Sequence, residues 1–193
     1  MMDTIPTDVL EKALSEFKNS RDEDIEHFLQ EKAMLYETRK WCSTYVLVSE
    51  EALKANRAIK VEGYFTLSNK VLQISDEVSK NRKKKLFNGV KKDDSFMHAI
   101  LIGQLGKYID ESAEENVYGE ITGKELLDKA FEIIESVKER IVCTCVLLEC
   151  RLSDPGESEN DKIKREHLHR WYIDCGFSVL QTDGNLVQYF KII

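Results

Sequence analysis

Proline is almost missing from this sequence: Pro6 and Pro155 are the only two in 193 residues. No proline-rich linker therefore divides it, and a single domain over residues 1–193 is expected. No apolar run nears the roughly 18 residues of a membrane span. The start, Met1-Met2-Asp3-Thr4, lacks a basic segment followed by an apolar one. Neither a membrane anchor nor a secretion signal is expected. The five cysteines (Cys42, Cys143, Cys145, Cys150, Cys175) are odd in number and form no CxxC pair. Reduced thiols and a cytoplasmic location follow.

Positive charge is also short. Lys and Arg number 28 against 35 Asp and Glu, a net charge of -7. Such a mean field repels polyphosphate, which argues against a general nucleic-acid binder. One local exception is the basic run Asn81-Arg82-Lys83-Lys84-Lys85, read here as a solvated face. Cys143 and Cys145 alternate along an expected strand, with His167 and His169 further on. Their spacing fits no standard zinc motif, so no metal is expected and the thiols read as small hydrophobes.

What is present is a core-forming composition, 42% hydrophobic and 33% charged. Residues 7–18 carry Val9, Leu10, Ala13, Leu14 and Phe17 at helical spacing. Ser20 or Asp22 can cap a second helix whose buried face is Ile25, Phe28, Leu29, Ala33, Met34 and Tyr36. Residues 44–48 and 58–68 read as strands, with a separate extension at 71–75 after a turn at Ser68-Asn69. Residues 76–87 read as a short helix or exposed loop. Residues 97–105 are apolar throughout, as in a strand buried on both faces.

An acidic loop follows at 110–115, then an amphipathic helix at 123–140 with Leu126, Leu127, Ala130, Phe131, Ile133, Ile134 and Val137 inward. A second buried strand is expected at 141–148 and a turn-rich loop at 154–158. A last helix spans 162–175. A hairpin closes around Thr182-Asp183-Gly184-Asn185. The order is an α/β chain with a mixed sheet.

Three stretches in that order resemble the GNAT superfamily of acetyltransferases over residues 44–193. The first is the strand Ala99-Ile100-Leu101-Ile102-Gly103-Gln104-Leu105-Gly106-Lys107. The second runs from Gly119 to Ala130, where Gly123, Leu126, Leu127 and Ala130 match the coenzyme loop and its helix. Tyr118 and Ile121 depart from that loop's pattern. The third is Trp171-Tyr172 followed by Gly176-Phe177. The chain also resembles GNAT-like proteins of Gram-positive bacteria and their prophages, through IGQLGK at 102–107 and ELL at 125–127.

The resemblance implies a mostly antiparallel sheet with a splayed central strand pair, flanked by helices, with residues 1–40 as an N-terminal helical layer. It implies acetyl-CoA as cosubstrate and a primary amine, on a small molecule or protein, as acceptor. Leu105, Gly106 and Lys107 would face the thioester. Gly119, Thr122, Gly123, Lys124 and Glu125 would face the pyrophosphate, where amides at a helix start attract an anion. Tyr172 would protonate the leaving thiolate, a role open to a phenol of pKa ~10. Glu149, at the end of a strand, is the first candidate for the base; Glu111 and Tyr64 come after it. A silent binding protein of the same fold and a toxin acting on aminoacyl-tRNA are the alternatives. A homodimer is left open.

Overall fold

The computed structural model describes residues 5–49, 59–87, 96–112, 115–141, 143–152, 156 and 158–193. Residues 154, 155 and 157 of the expected turn at 154–158, and the parts of the expectations at 58, 113–114 and 142, lie outside them. The chain divides into two compact units, Met1–Ser68 with Gln104–Glu132, and Asn69–Gly103 with Ile133–Ile193.

The first unit begins with helix α1, Thr7–Ser15. Asp22 then caps α2, Glu23–His27, by accepting the amides of Asp24 and Ile25. A π-helical turn, Phe28–Lys32, follows and leads into α3, Ala33–Thr38. The wider turn shows in the bond from the Ala33 amide to the Phe28 carbonyl. Its extra residue rotates the helix that follows. Phe28, Leu29 and Ala33 stay buried while Met34, expected inward, is 40% exposed.

Strand β1, Ser43–Val48, pairs antiparallel with β2, Val61–Gln73. Strand β3, Phe96–Lys107, lies beside β2 in the order β1-β2-β3. The two run in opposite directions here. The Tyr108 amide donates to the Glu62 carbonyl, and the Gln104 amide to the Thr66 hydroxyl. Strands β4, Ile109–Asp110, and β5, Val117–Tyr118, form a short hairpin. Helix α5, Gly123–Val137, starts in this unit. The core joins Ala13, Leu14, Phe17, Phe28, Leu29, Ala33, Val61 and Tyr64. Phe17 meets Tyr64 edge-on at 5.5 Å, and Phe28 stacks on it at 6.2 Å.

The second unit holds the order β2-β3-β6-β8-β7, with β6 at Cys145–Arg151, β7 at Ser178–Asp183 and β8 at Leu186–Ile192. Strands β3 and β6 are parallel, while β6, β8 and β7 are antiparallel. The parallel register runs from Ala99↔Cys145 to Ile102↔Leu148. Gly103 and Glu149 are the first positions past it, while β6 keeps its pairing with β8 as far as Arg151↔Leu186. Gly184, at φ 59°, opens the two-residue turn between β7 and β8.

Ser79 caps α4, Lys80–Leu86, whose Leu86 is fully buried. Ser158 caps α6, Glu159–Asp174. The core is Leu72, Ile74, Val78, Leu86, Met97, Ala99, Cys145, Leu147, Leu180 and Phe190.

Three expectations need correction here. Strand β2 continues without a turn through Ser68-Asn69, because the half-buried Ser68 and the exposed Asn69 sit on positions of one long strand that tolerate polar side chains. Strand β6 starts at Cys145, since the Ile141 amide still bonds the Val137 carbonyl at the end of α5. Cys143 therefore precedes the strand and shares no strand face with Cys145. The buried Cys145 thiol is pushed up to about 12, an inert packing group. Helix α6 begins at Glu159, ahead of the expected 162, because the Ser158 hydroxyl accepts the Asp161 amide. Among the described residues no helix is long and apolar enough to cross a membrane.

Candidate functional site

The candidates from the sequence fall in both units. In the first, Gly106 has no room for a side chain: a Cβ there would lie 2.2 Å from the Ile25 side chain. Glycine is needed at this point so that α2 can pack on β3. The neighbouring Lys107 carbonyl accepts from the Asn19 side chain at 3.1 Å, and Leu105 is half-buried.

Gly119 is pressed onto β2. A Cβ there would meet the Glu62 carbonyl at 2.6 Å. This close approach sets how the loop's amides are used. The Gly119 amide donates to the Tyr108 carbonyl at 2.8 Å, and the Glu120 amide to the Glu62 carboxylate at 2.9 Å. Thr122 and Glu125 form a reciprocal capping box. The Thr122 amide and hydroxyl donate to the Glu125 carboxylate at 2.8 and 2.7 Å, and the Glu125 amide donates to the Thr122 hydroxyl at 3.2 Å. These bonds hold the Glu125 carboxyl below its ordinary range.

Lys124 pairs with Asp128 at 2.8 Å on the exposed face of α5. Such a pair is worth only about 0.3–0.5 kcal/mol and gives way readily to an incoming anion. Gly123 opens the helix, half-buried. Ile121 lies over Gly63, its methyl 3.3 Å from where a Gly63 Cβ would stand.

The two lesser base candidates, Tyr64 and Glu111, lie in the first unit, each in hydrogen bonds of its own. Tyr64 is fully buried, donates its hydroxyl to the Ile25 carbonyl at 2.7 Å, and burial pushes its pKa up. Glu111 accepts from Arg21 at 2.9 Å and from the Tyr118 hydroxyl at 3.1 Å. That pairing leaves it part of a surface cluster with the Arg21 cation over the Tyr118 ring.

In the second unit Tyr172 is 7% exposed, and its ring lies 5.3 Å from Trp171, 5.6 Å from Tyr189 and 6.3 Å from Phe177. Here the Tyr-x-x-x-Gly-Phe spacing has a physical cause. The Gly176 amide donates to the Ile173 carbonyl and the Phe177 amide to the Tyr172 carbonyl, with Gly176 at φ 87°. This is a Schellman closure of α6, with the Phe177 ring returning onto Tyr172. The motif stops the helix one turn after the tyrosine and fixes its ring.

Glu149 is held by a polar chain. Its Oε1 accepts from Lys70 Nζ at 2.6 Å and from Gln188 Nε2 at 2.7 Å. Gln188 is fully buried and accepts from Gln181 at 2.9 Å. Gln181 in turn donates to the Gln73 carbonyl and accepts the Ser75 amide, both at 2.8 Å. The sequence offered no signal for Lys70 or Gln188, because their meeting with Glu149 depends on strand order. A further pair was missed for the same reason: His169 Nδ1 hydrogen-bonds the Tyr189 hydroxyl.

No protein-family model and no curated protein sequence matches the chain. Solved structures do. The toxin AtaT complexed with acetyl-methionyl-tRNA superposes with a TM-score of 0.63 at 20% identity, covering 93% of this chain and 86% of that one. AtaTR bound with acetyl-CoA gives 0.59 at 20% identity, over 93% and 86%. A tyrosine-to-phenylalanine variant of KacT gives 0.60 at 18% identity, over 93% and 86%. The fold is therefore the mixed, mostly antiparallel GNAT-like fold of these toxin structures.

Proposed function

We propose that this chain is an acetyl-CoA-dependent N-acetyltransferase, and that its acceptor is the amino group of an aminoacyl-tRNA. The observation that carries the reading is the fold match over 93% of the chain to AtaT complexed with acetyl-methionyl-tRNA. The parallel ladder of β3 and β6 that stops at Ile102↔Leu148 supports it, because strands that part company leave backbone groups for a ligand. Within this reading the amine attacks the thioester carbonyl, the carbon–sulfur bond breaks, and Tyr172 gives its proton to the departing thiolate.

Glu149, clamped by Lys70 and Gln188, fits a group that orients the ammonium and takes its proton through water better than one that swings freely. The amides at Leu105, Gly106 and Lys107 would polarise the thioester carbonyl, and the stretch Gly119, Thr122, Gly123, Lys124 and Glu125 would carry the pyrophosphate. The net charge of -7 describes only the mean field, and a tRNA acceptor would require a local basic patch that overrides it. A single, cytoplasmic domain over residues 1–193 and the likeness to prophage proteins belong to the same proposal.

A second reading is a silent binding protein of this fold. It is favoured by one observation: the Glu62 and Glu125 carboxylates already occupy amides of the pyrophosphate loop. Titrating acetyl-CoA into the full chain by calorimetry separates the readings. Saturable binding together with acetyl transfer to a charged tRNA pool supports the enzyme. Absence of binding at millimolar acetyl-CoA refutes it.

A further inference from the structure

We propose that His169 and Tyr189 are positioning residues for Tyr172, forming a hydrogen-bonded pair that fixes the wall on which the Tyr172 ring lies. The inference rests on the acetyltransferase reading, in which Tyr172 is the acid. It starts from chain geometry. His169 stands three residues before Tyr172 on α6, so both point from one face of the helix. Tyr189 stands opposite in β8 and is paired on both sides, with Leu148 of β6 and Val179 of β7. It is 3% exposed, so its hydroxyl needs a protein partner.

His169 is that partner. It also hydrogen-bonds the Arg151 carbonyl, which accepts from Arg165 at 3.3 Å as well. A carbonyl only accepts, so the imidazole donates to Arg151 and Nδ1 accepts the Tyr189 hydroxyl. Burial lowers the His169 pKa, which keeps the ring neutral near pH 7 as this arrangement requires. The other groups facing the pair are Arg165 and Glu166 on α6 and Cys150 on β6. Arg165 acts with burial, while Glu166 and the Arg151 carbonyl act against it. Burial also raises the Tyr189 pKa, so the phenol stays protonated.

Protonating His169 turns the Nδ1 acceptor into a donor. The Tyr189 oxygen must then accept from Nδ1–H, its own buried proton is left without an acceptor, and the ring 5.6 Å from Tyr172 is held by a reversed and weaker arrangement. Turnover should therefore carry an acid-limb component that belongs to His169, in addition to the limb of the acceptor's own ammonium.

The test measures thiol release from acetyl-CoA with an aminoacyl-tRNA pool as acceptor, between pH 5 and pH 8, in four proteins. The wild type shows the acid limb. His169→Leu lowers kcat about tenfold with little change in KM, as when a buried hydroxyl loses its acceptor. His169→Asn, which keeps an acceptor near the Nδ1 position and cannot titrate, restores kcat and removes the His169 component, leaving only the limb of the acceptor amine. Tyr189→Phe also removes the His169 component. An unchanged limb in His169→Asn overturns the proposal.

A second readout does not depend on turnover: nuclear magnetic resonance of ring-labelled tyrosine. The Tyr172 signal should follow the His169 titration in the wild type and stay flat in His169→Asn. If no protein in the set turns over but the Tyr172 signal follows His169, the acetyltransferase reading fails and the structural pairing stands. If the signal does not follow His169, the pairing fails whatever the activity.

Discussion

Lys70 Nζ lies 2.6 Å from Glu149 Oε1, with the carboxylate only 15% exposed. Glu149 is thus a partly buried charge whose partners come from β2 and, through Gln188, from β8. Removing one partner of such a group costs more than the bond itself is worth, because the other is left unsatisfied. Gln188→Leu should destabilise the protein by about 1–3 kcal/mol in urea unfolding. Lys70→Met should lower turnover further than it lowers stability. Equal, small effects from both would mean that the clamp has no role in the chemistry.

Gly106 is set against Ile25, with no space for a methyl group. Gly106→Ala should cost about 1–3 kcal/mol, the usual penalty for overpacking. Ile25→Ala in the same protein should recover part of that loss, because the two groups share one volume. Additive losses from the two substitutions would contradict this packing account.

The expected elements and the observed ones agree best where periodicity is long. Helices α1 and α5 and the hairpin of β7 and β8 follow from apolar spacing and from Gly184. The motif of Tyr172, Gly176 and Phe177 was legible as a spacing, and its cause, a Schellman closure, needs the backbone. Boundaries failed where a local bond competes with the pattern. Ile141 is apolar like a strand residue but belongs to the end of α5, and Met34 is turned outward by one inserted helical residue. The partners of Glu149 and of His169 were illegible, since Lys70, Gln188 and Tyr189 are far from them in sequence and meet only through strand order and packing.

The loop at Gly119 to Glu125 makes an electrostatic prediction. The Glu62 carboxylate accepts the Glu120 amide, so a pyrophosphate bound there would face a like charge. Glu62→Gln keeps an acceptor and removes that charge. Acetyl-CoA affinity should rise about three- to tenfold, the scale of one partly screened charge. Calorimetry at two salt concentrations checks it, and the gain should shrink at high salt. Weaker binding in Glu62→Gln would show that the carboxylate supports the loop instead.

Stability should carry the signature of His169. Its folded pKa lies below the ordinary value of about 6.5, so between the two values the unfolded chain binds more protons. Its contribution is present above the ordinary value and is lost as pH falls through the lowered one. The stability difference between wild type and His169→Asn should therefore narrow or reverse on acidification below about pH 6.5. Denaturant midpoints at pH 5 and pH 7.5 measure it, and a difference that does not change with pH would contradict the assignment.

The central claim is acetyl transfer with Tyr172 as the acid. Its most direct measurement is mass spectrometry of the aminoacyl group released from a charged tRNA pool after incubation with acetyl-CoA and the full chain, beside Tyr172→Phe. The account predicts an N-acetylated amino acid with the wild type and, with the variant, a rate lower by about 100-fold or more, the scale of a lost general acid. No acetylated product with the wild type, or equal rates in both proteins, would contradict it.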